Sequence, residues 1–353
     1  MSATASTDPA TVTLGGLPLH APQGPAMRDE RTWRGERWIG IAEVDAMAPF
    51  FTTAVGDNEC WLFAGSNGPL CAGRREPDLS LFPYVNVDRI IDHPGSAGFL
   101  SLVLIGEESP RLWEPWSAQP ALHPRQRSLY RHELGAGLLY VERDVESGLE
   151  LAAEIATCQR FGLVRRVRLL NGGDQQVRLR VLDGWHRLLP PGLGADTWAA
   201  YSYLAQAYMR HERVPGVQAG LYTLNAAITD RAEPREVLRC AAAWMAGAQA
   251  GRLLLSARQV EAFRRGSRLE DETEIRGETG ALLAEQSLTL EPGEEASWIV
   301  GADTGLDQAA AGDLCALLAL PDAAAEIEEA IACDRVGLRA RLAAHDALSL
   351  SGD

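Results

Sequence analysis

The sequence predicts a mainly β chain: an antiparallel meander followed by a helical C-terminal segment. Three observations predict it. Apolar and polar residues alternate over 149–155 and 176–181, the period of strands with one packed face and one wet face. The turn clusters Glu146-Ser147-Gly148 and Asn171-Gly172-Gly173-Asp174 separate strands so closely that no crossover helix of about a dozen residues fits, so the sheet is antiparallel. Past residue 305 the apolar spacing turns helical.

Residues 1–35 are rich in Ser, Thr, Pro, Gly and Ala and read as a leading tail or arm. Trp33 and Trp38 bring the first buried aromatics. Over 162–170, Leu163, Val167 and Leu169 share one face and Arg166 and Arg168 the other, while Arg165 breaks the alternation. Over 195–212, Trp198, Tyr201, Ala205, Tyr208 and Met209 recur at near-helical spacing, with a strand as the alternative; the Ala-rich 237–247 reads either way. Ser256-Ala257-Arg258-Gln259 has capping-box spacing and predicts a short helix to Arg264 that stops at Gly266. The turn Glu291-Pro292-Gly293-Glu294 between 282–290 and 296–300 predicts a hairpin. In the helical segment, Ile327, Ile331, Leu338 and Leu342 form an apolar stripe. The expected organisation is a tail over 1–35, a β domain over 36–304 and a helical linker over 305–353.

Thirty-three basic residues against 48 acidic ones give a net charge of −15, which argues against nucleic acid or anionic membrane as a partner. No run of about 18 apolar residues exists to span a bilayer. The N-terminus lacks the basic and apolar regions of a signal peptide. Six cysteines without a C-x-x-C pair, and histidines without helical spacing, predict free thiols, no metal site and a reducing cytoplasm. No phosphate-binding glycine motif occurs in a strand-turn-helix setting, and no cofactor is expected.

Several groups are weighed for chemistry. Ser66 lies in Gly65-Ser66-Asn67-Gly68, a turn rather than a nucleophile elbow. Glu270-Asp271-Glu272-Thr273-Glu274, with Asp183, Asp230 and Glu233, offers carboxylates for glycosidic chemistry, although acidic runs on an acidic protein are usually solvated. Trp61, Phe63, Phe82, Tyr84, Trp113 and Trp116 lie close in sequence to Arg74, Arg75, Asp78, Asp88, Arg89 and Asp92. Flat apolar rings and charged planar groups suit a sugar. The same composition also suits a sandwich core with ion-paired loops.

Asn67-Gly68-Pro69-Leu70-Cys71-Ala72-Gly73-Arg74, Leu81-Phe82-Pro83-Tyr84 and Leu112-Trp113-Glu114-Pro115-Trp116 resemble the N-terminal region of bacterial proteins related to the cellobiose and chitobiose phosphorylases. Val181-Leu182-Asp183-Gly184-Trp185, Asp230-Arg231-Ala232-Glu233-Pro234, Leu255-Ser256-Ala257-Arg258-Gln259 and the 270–277 run continue the likeness. The resemblance implies a large two-sheet supersandwich similar to galactose mutarotase, then a helical linker, then an (α/α)6 barrel. It places the catalytic carboxylate and phosphate-binding groups in the barrel, which this sequence does not include, so no catalytic residue is carried over. The implied role is a non-catalytic region that braces a barrel or a homodimer partner through the linker and contacts an oligosaccharide or sugar phosphate. Arg74, Arg75, Asp78 and Tyr84 are the expected substrate contacts, with Asp88 and Arg89 as orienting ion pairs. The alternatives are a mutarotase-like enzyme using His186 near Asp183 or His132 near Glu133, and a stand-alone glycan-binding protein.

Overall fold

The computed structural model describes residues 12–119, 121–228, 237–248 and 251–345, the side chains of Val87 and Asp88 excepted. One broad antiparallel sheet carries eleven strands. In spatial order they are Glu274–Arg276, Met209–Arg213, Ala219–Leu224, Cys240–Ala246, Glu295–Leu306, Gly162–Asn171, Leu149–Cys158, Leu138–Asp144, Arg125–His132, Glu36–Ala42 and Met27–Trp33. A five-stranded sheet faces it: Arg252–Leu254, Gly280–Leu290, Val177–Leu188, Gly98–Ile105 and Arg111–Trp113. A three-stranded sheet of Phe51–Ala54, Cys60–Gly65 and Leu70–Arg74 extends that second layer. Leu163, Val167, Trp298, Val181, Trp185, Leu62 and Ala72 meet in the continuous core between the layers. The chain is thus mainly β, with large antiparallel sheets and a few C-terminal helices.

The alternation marks the inner face correctly, and over 176–181 the opposite face is wet at Gln176 and Arg178, but over 149–155 it is not. Eight consecutive residues of Leu149–Cys158, 151–158, are buried. Helices α3 (Gln308–Leu318) and α4 (Ala323–His345) cover that outer face. Ala-rich 237–247 becomes the strand Cys240–Ala246 for the same reason: small side chains serve a strand packed on both faces. The 195–212 stretch divides into helix α1 (Ala195–Ala207) and the strand Met209–Arg213.

Four expectations need correction. Met27–Trp33, inside the segment read as a leading arm, pairs with Glu36–Ala42 as the edge strand of the large sheet. The two runs around Pro292 do not form a hairpin. Gly280–Leu290 pairs with Val177–Leu188 in one layer, and Glu295–Leu306 with Gly162–Asn171 in the other. Their turn residues carry the chain between layers, a task with the same local chemistry as a hairpin turn. The capping box is also not formed. The Gln259 amide group donates to Glu270 O and Glu272 Oε1, both at 3.0 Å, ahead of helix α2 (Val260–Arg264). Nor does the α4 stripe await a partner along its whole length: Ile327 and Ile331 are buried with Cys158, Phe161 and Trp244 of this chain. Leu338 and Leu342 are half-buried.

Candidate functional site

The ionisable groups in the sandwich interior are bound to one another. Arg165, the residue that breaks the alternation, points between the layers and is fully buried. Its Nη1 donates to both oxygens of Asp183, at 2.7 and 2.8 Å, and its Nη2 to Ser101 Oγ at 2.8 Å. Trp298 Nε1 and the Ser101 hydroxyl also donate to Asp183. These bonds join both sheets and saturate the carboxylate.

His186 does not assist Asp183. Three residues apart on one strand, the two side chains face opposite sides of the sheet. Burial, with Arg187 and Arg264 nearby, lowers the His186 imidazole to about 4, so it is neutral at pH 7. His132 and Glu133 also diverge. The His132 ring packs edge-on to Trp38 with Nε2 3.4 Å from Glu36, while Glu133 accepts from Arg339.

The 270–274 acidic run is exposed, as a solvated face is, except at Glu272. Buried Glu272 accepts from Leu255 N, Ser256 N and the Ser256 hydroxyl, closing the 252–272 loop. Asp271 pairs with Arg213, and Glu274 with Arg210. Asp230 and Glu233 lie outside the described residues. Ser66 is buried, and its Oγ accepts Phe50 N.

One open surface is the outer face of the three-stranded sheet. Phe63 and Trp61 occupy alternate positions on Cys60–Gly65 and so share this face. Their rings lie 5.4 Å apart; Phe51 is 6.1 Å beyond Phe63, and Tyr84 meets Trp61 edge-on at 5.9 Å. The row exists because residue 73 is glycine. A Cβ there would stand 2.6 Å from Trp61 Cζ2 and 2.3 Å from Leu79 O. The other aromatics of the same sequence stretch, Phe82, Trp113 and Trp116, are core residues.

Beside the row lies a cleft of about 280 Å³, lined by Leu79 and by polar groups from five separate segments. Arg74 Nε and Nη2 grip Asp303 at 2.6 and 2.9 Å, and Nη2 also donates to Gln159 O. Burial works against the Arg74 charge, but the two bonds to Asp303 outweigh it and raise its pKa. Arg75 sits at φ +53° and pairs with Glu59 at 2.6 Å. Arg160, Arg239, Thr304 and Asp307 also line it.

The six expected contacts therefore do not converge. Arg74 and Arg75 line the cleft and Tyr84 ends the aromatic row. Asp78 accepts Ala195 N at 3.3 Å, at the start of α1. Arg89 is exposed, 3.8 Å from Asp92. The Asp88 side chain lies outside the described part of the structure. Sequence reasoning missed Phe51 in the row and, in the cleft, Glu59, Leu79, Gln159, Arg160, Arg239, Asp303, Thr304 and Asp307. Only Phe51 carried a signal, as an aromatic at the head of a strand.

All six cysteines are free thiols. Among the described residues, no helix is long and apolar enough to cross a membrane. No family model and no curated protein matches the chain.

Solved structures that it resembles include a polysaccharide lyase: 15% identity, TM-score 0.31, covering 74% of this chain and 33% of that one. Another, from Escherichia coli K12, is described as an aldose 1-epimerase: 8% identity, TM-score 0.37, covering 72% and 99%. A third is a 4-α-glucanotransferase from Thermococcus litoralis: 8% identity, TM-score 0.31, covering 80% and 40%. The chain thus spans about a third of the lyase and two fifths of the glucanotransferase.

Proposed function

We propose that this chain is a non-catalytic carbohydrate-binding and scaffolding β-sandwich, part of a carbohydrate-active enzyme resembling the cellobiose phosphorylases. Glycosidic phosphorolysis or hydrolysis takes place on a separate (α/α)6 barrel, and the sandwich holds the saccharide and braces that barrel or a second copy. The observation that carries this reading is the open row Phe51–Phe63–Trp61–Tyr84, flanked by the Arg75–Glu59 pair. Ring faces stack on the C–H faces of sugars, and a neighbouring charged pair grips hydroxyls. The same reading sets the chain in the cytoplasm, in keeping with its free thiols.

A stand-alone glycan-binding protein is the second reading. The burial of Ile327 and Ile331 against this chain's own sheet favours it, because that part of α4 is already covered. The mutarotase-like reading loses support from the divergence of His186 and Asp183.

Tryptophan fluorescence tests the binding site directly. Seven of the nine tryptophans are buried; Trp61 and Trp198 are partly exposed. Titration with neutral oligosaccharides is expected to change the emission, and Trp61→Ala to abolish the change while Trp198→Phe preserves it. A response that survives Trp61→Ala, or no response to any sugar, refutes the site.

A further inference from the structure

We propose that the arginine-lined cleft beside the aromatic row is an oxyanion subsite. It takes a carboxylate, sulfate or phosphate group borne by the saccharide. The nature of the ligand's body rests on the saccharide reading above; the anion preference does not.

The cleft reverses the charge of the protein around it. The chain carries a net −15, yet here the guanidiniums of Arg74, Arg75, Arg160 and Arg239 meet three carboxylates, Glu59, Asp303 and Asp307. The carboxylates are already engaged. Both Asp303 oxygens accept from Arg74, and Oδ1 also accepts Thr304 N. Glu59 accepts from Arg75. Asp307 accepts Ala310 N as the N-cap of α3, so the proposal does not lean on the helix terminus.

The donors are not used up. Arg74 Nη1 has no partner among the described residues, since both bonds to Asp303 use Nε and Nη2. Arg239 is exposed and makes no ion pair with a described residue. Arg160 has one long ion pair, 3.5 Å to Glu326, and lies over the Phe161 ring at 5.2 Å. Thr304 also lines the cleft, but its Oγ1 is closed off from solvent and has no hydrogen-bond partner among the described residues, so the donors that face a ligand are the arginines. A guanidinium held in place by a carboxylate on one edge presents its remaining N–H groups as a fixed fork for an oxyanion.

The geometry also joins the cleft to the sugar platform. Glu59 precedes Trp61 by two residues, and the Glu59–Arg75 pair lines the cleft. Leu79 lines the cleft, and its carbonyl oxygen and the Trp61 ring both abut Gly73. A saccharide stacked on Trp61 therefore places a charged substituent within reach of the arginines.

Calorimetric titration of the whole chain tests this. The ligands are inorganic sulfate, a neutral oligosaccharide, its uronate analogue and its sulfate or phosphate ester; the proteins are wild type, Arg239→Ala, Thr304→Val and, outside the cleft, Arg276→Ala. Charged hydrogen bonds of this kind predict that an acidic analogue binds about tenfold tighter than the neutral sugar. The advantage should fall below about threefold in Arg239→Ala, while Thr304→Val, whose hydroxyl is closed off from the cleft, and Arg276→Ala should keep it. The uronate and ester arms identify which oxyanion is preferred. Equal affinity for acidic and neutral sugars, with the Trp61 response intact, overturns the subsite and leaves the saccharide reading standing. If no sugar binds, the saccharide reading fails, and sulfate alone decides the subsite: binding weakened by Arg239→Ala upholds it, and no binding overturns it.

Discussion

Arg165 and Arg166 are neighbours on one strand, and they show what two faces of a sheet do with the same side chain. Arg165 points inward, where Asp183, Ser101 and Trp298 enclose it between the layers. Arg166 points outward to Glu154 and to Glu328 of α4. Arg335, also on α4, reaches the same Glu154, and Trp33 Nε1 donates to it at 2.7 Å. The inner arginine joins sheet to sheet within a closed shell. The outer one fastens a helix to a sheet through partners that come with the helix. Removing a partner therefore acts on the whole sandwich in the first case and on the helix in the second.

The largest effect is expected inside. Asp183→Ala leaves Arg165 charged, buried and unpaired, which predicts a loss of about 3–5 kcal/mol in urea unfolding. The double variant Arg165→Met/Asp183→Leu should recover much of that loss, because apolar groups of similar volume remove the stranded charge. A loss below about 1 kcal/mol for Asp183→Ala would remove the distinction between the faces.

Acid should reveal the outer cluster. Burial alone raises the Glu154 carboxyl, but the Arg166 and Arg335 guanidiniums outweigh it and hold it at about 2 against an ordinary 4.5. The folded-state value is the depressed one, so the stability it confers is complete above pH 4.5 and is lost as pH falls towards 2. Linkage puts that loss at about 3 kcal/mol. Glu154→Gln should flatten the pH dependence of urea unfolding in that window; an unchanged slope would show that Glu154 is not the group responsible.

Arg335→Ala should act more locally. It removes charged hydrogen bonds worth about 1.5–3 kcal/mol each, so amide exchange in α4 should quicken by about tenfold or more. Protection in Gly162–Asn171 should hold; equal loosening of both would mean that helix and sandwich open together. The smallest effect belongs to Arg75→Ala. Its pair with Glu59 is solvent-exposed, so the unfolding midpoint should stay where it is.

The sequence disclosed Arg165 through its misfit: an arginine on an apolar face demands a buried partner. It did not disclose which carboxylate, because Asp183 arrives from the opposite layer. The Pro292 turn was misread for a related reason, since local turn chemistry does not record which sheet the next strand joins. Trp61, Phe63 and Tyr84 were legible as a cluster of rings, but their separation from Phe82, Trp113 and Trp116 depends on tertiary burial. The cleft was legible only at Arg74 and Arg75. Gln159, Arg160, Arg239 and Thr304 come from segments that no local pattern connects.

Asn171 sits where the two passages between layers meet. Its backbone N–H donates to Glu294 O, its carbonyl accepts Gly293 N, and its amide group donates to Gln175 O and Leu290 O. Either side of that junction, successive stretches of chain alternate between the two sheets, so neither layer is a continuous piece of polypeptide. No fragment can carry one layer away intact. In recombination or truncation, this body is inherited whole or not at all.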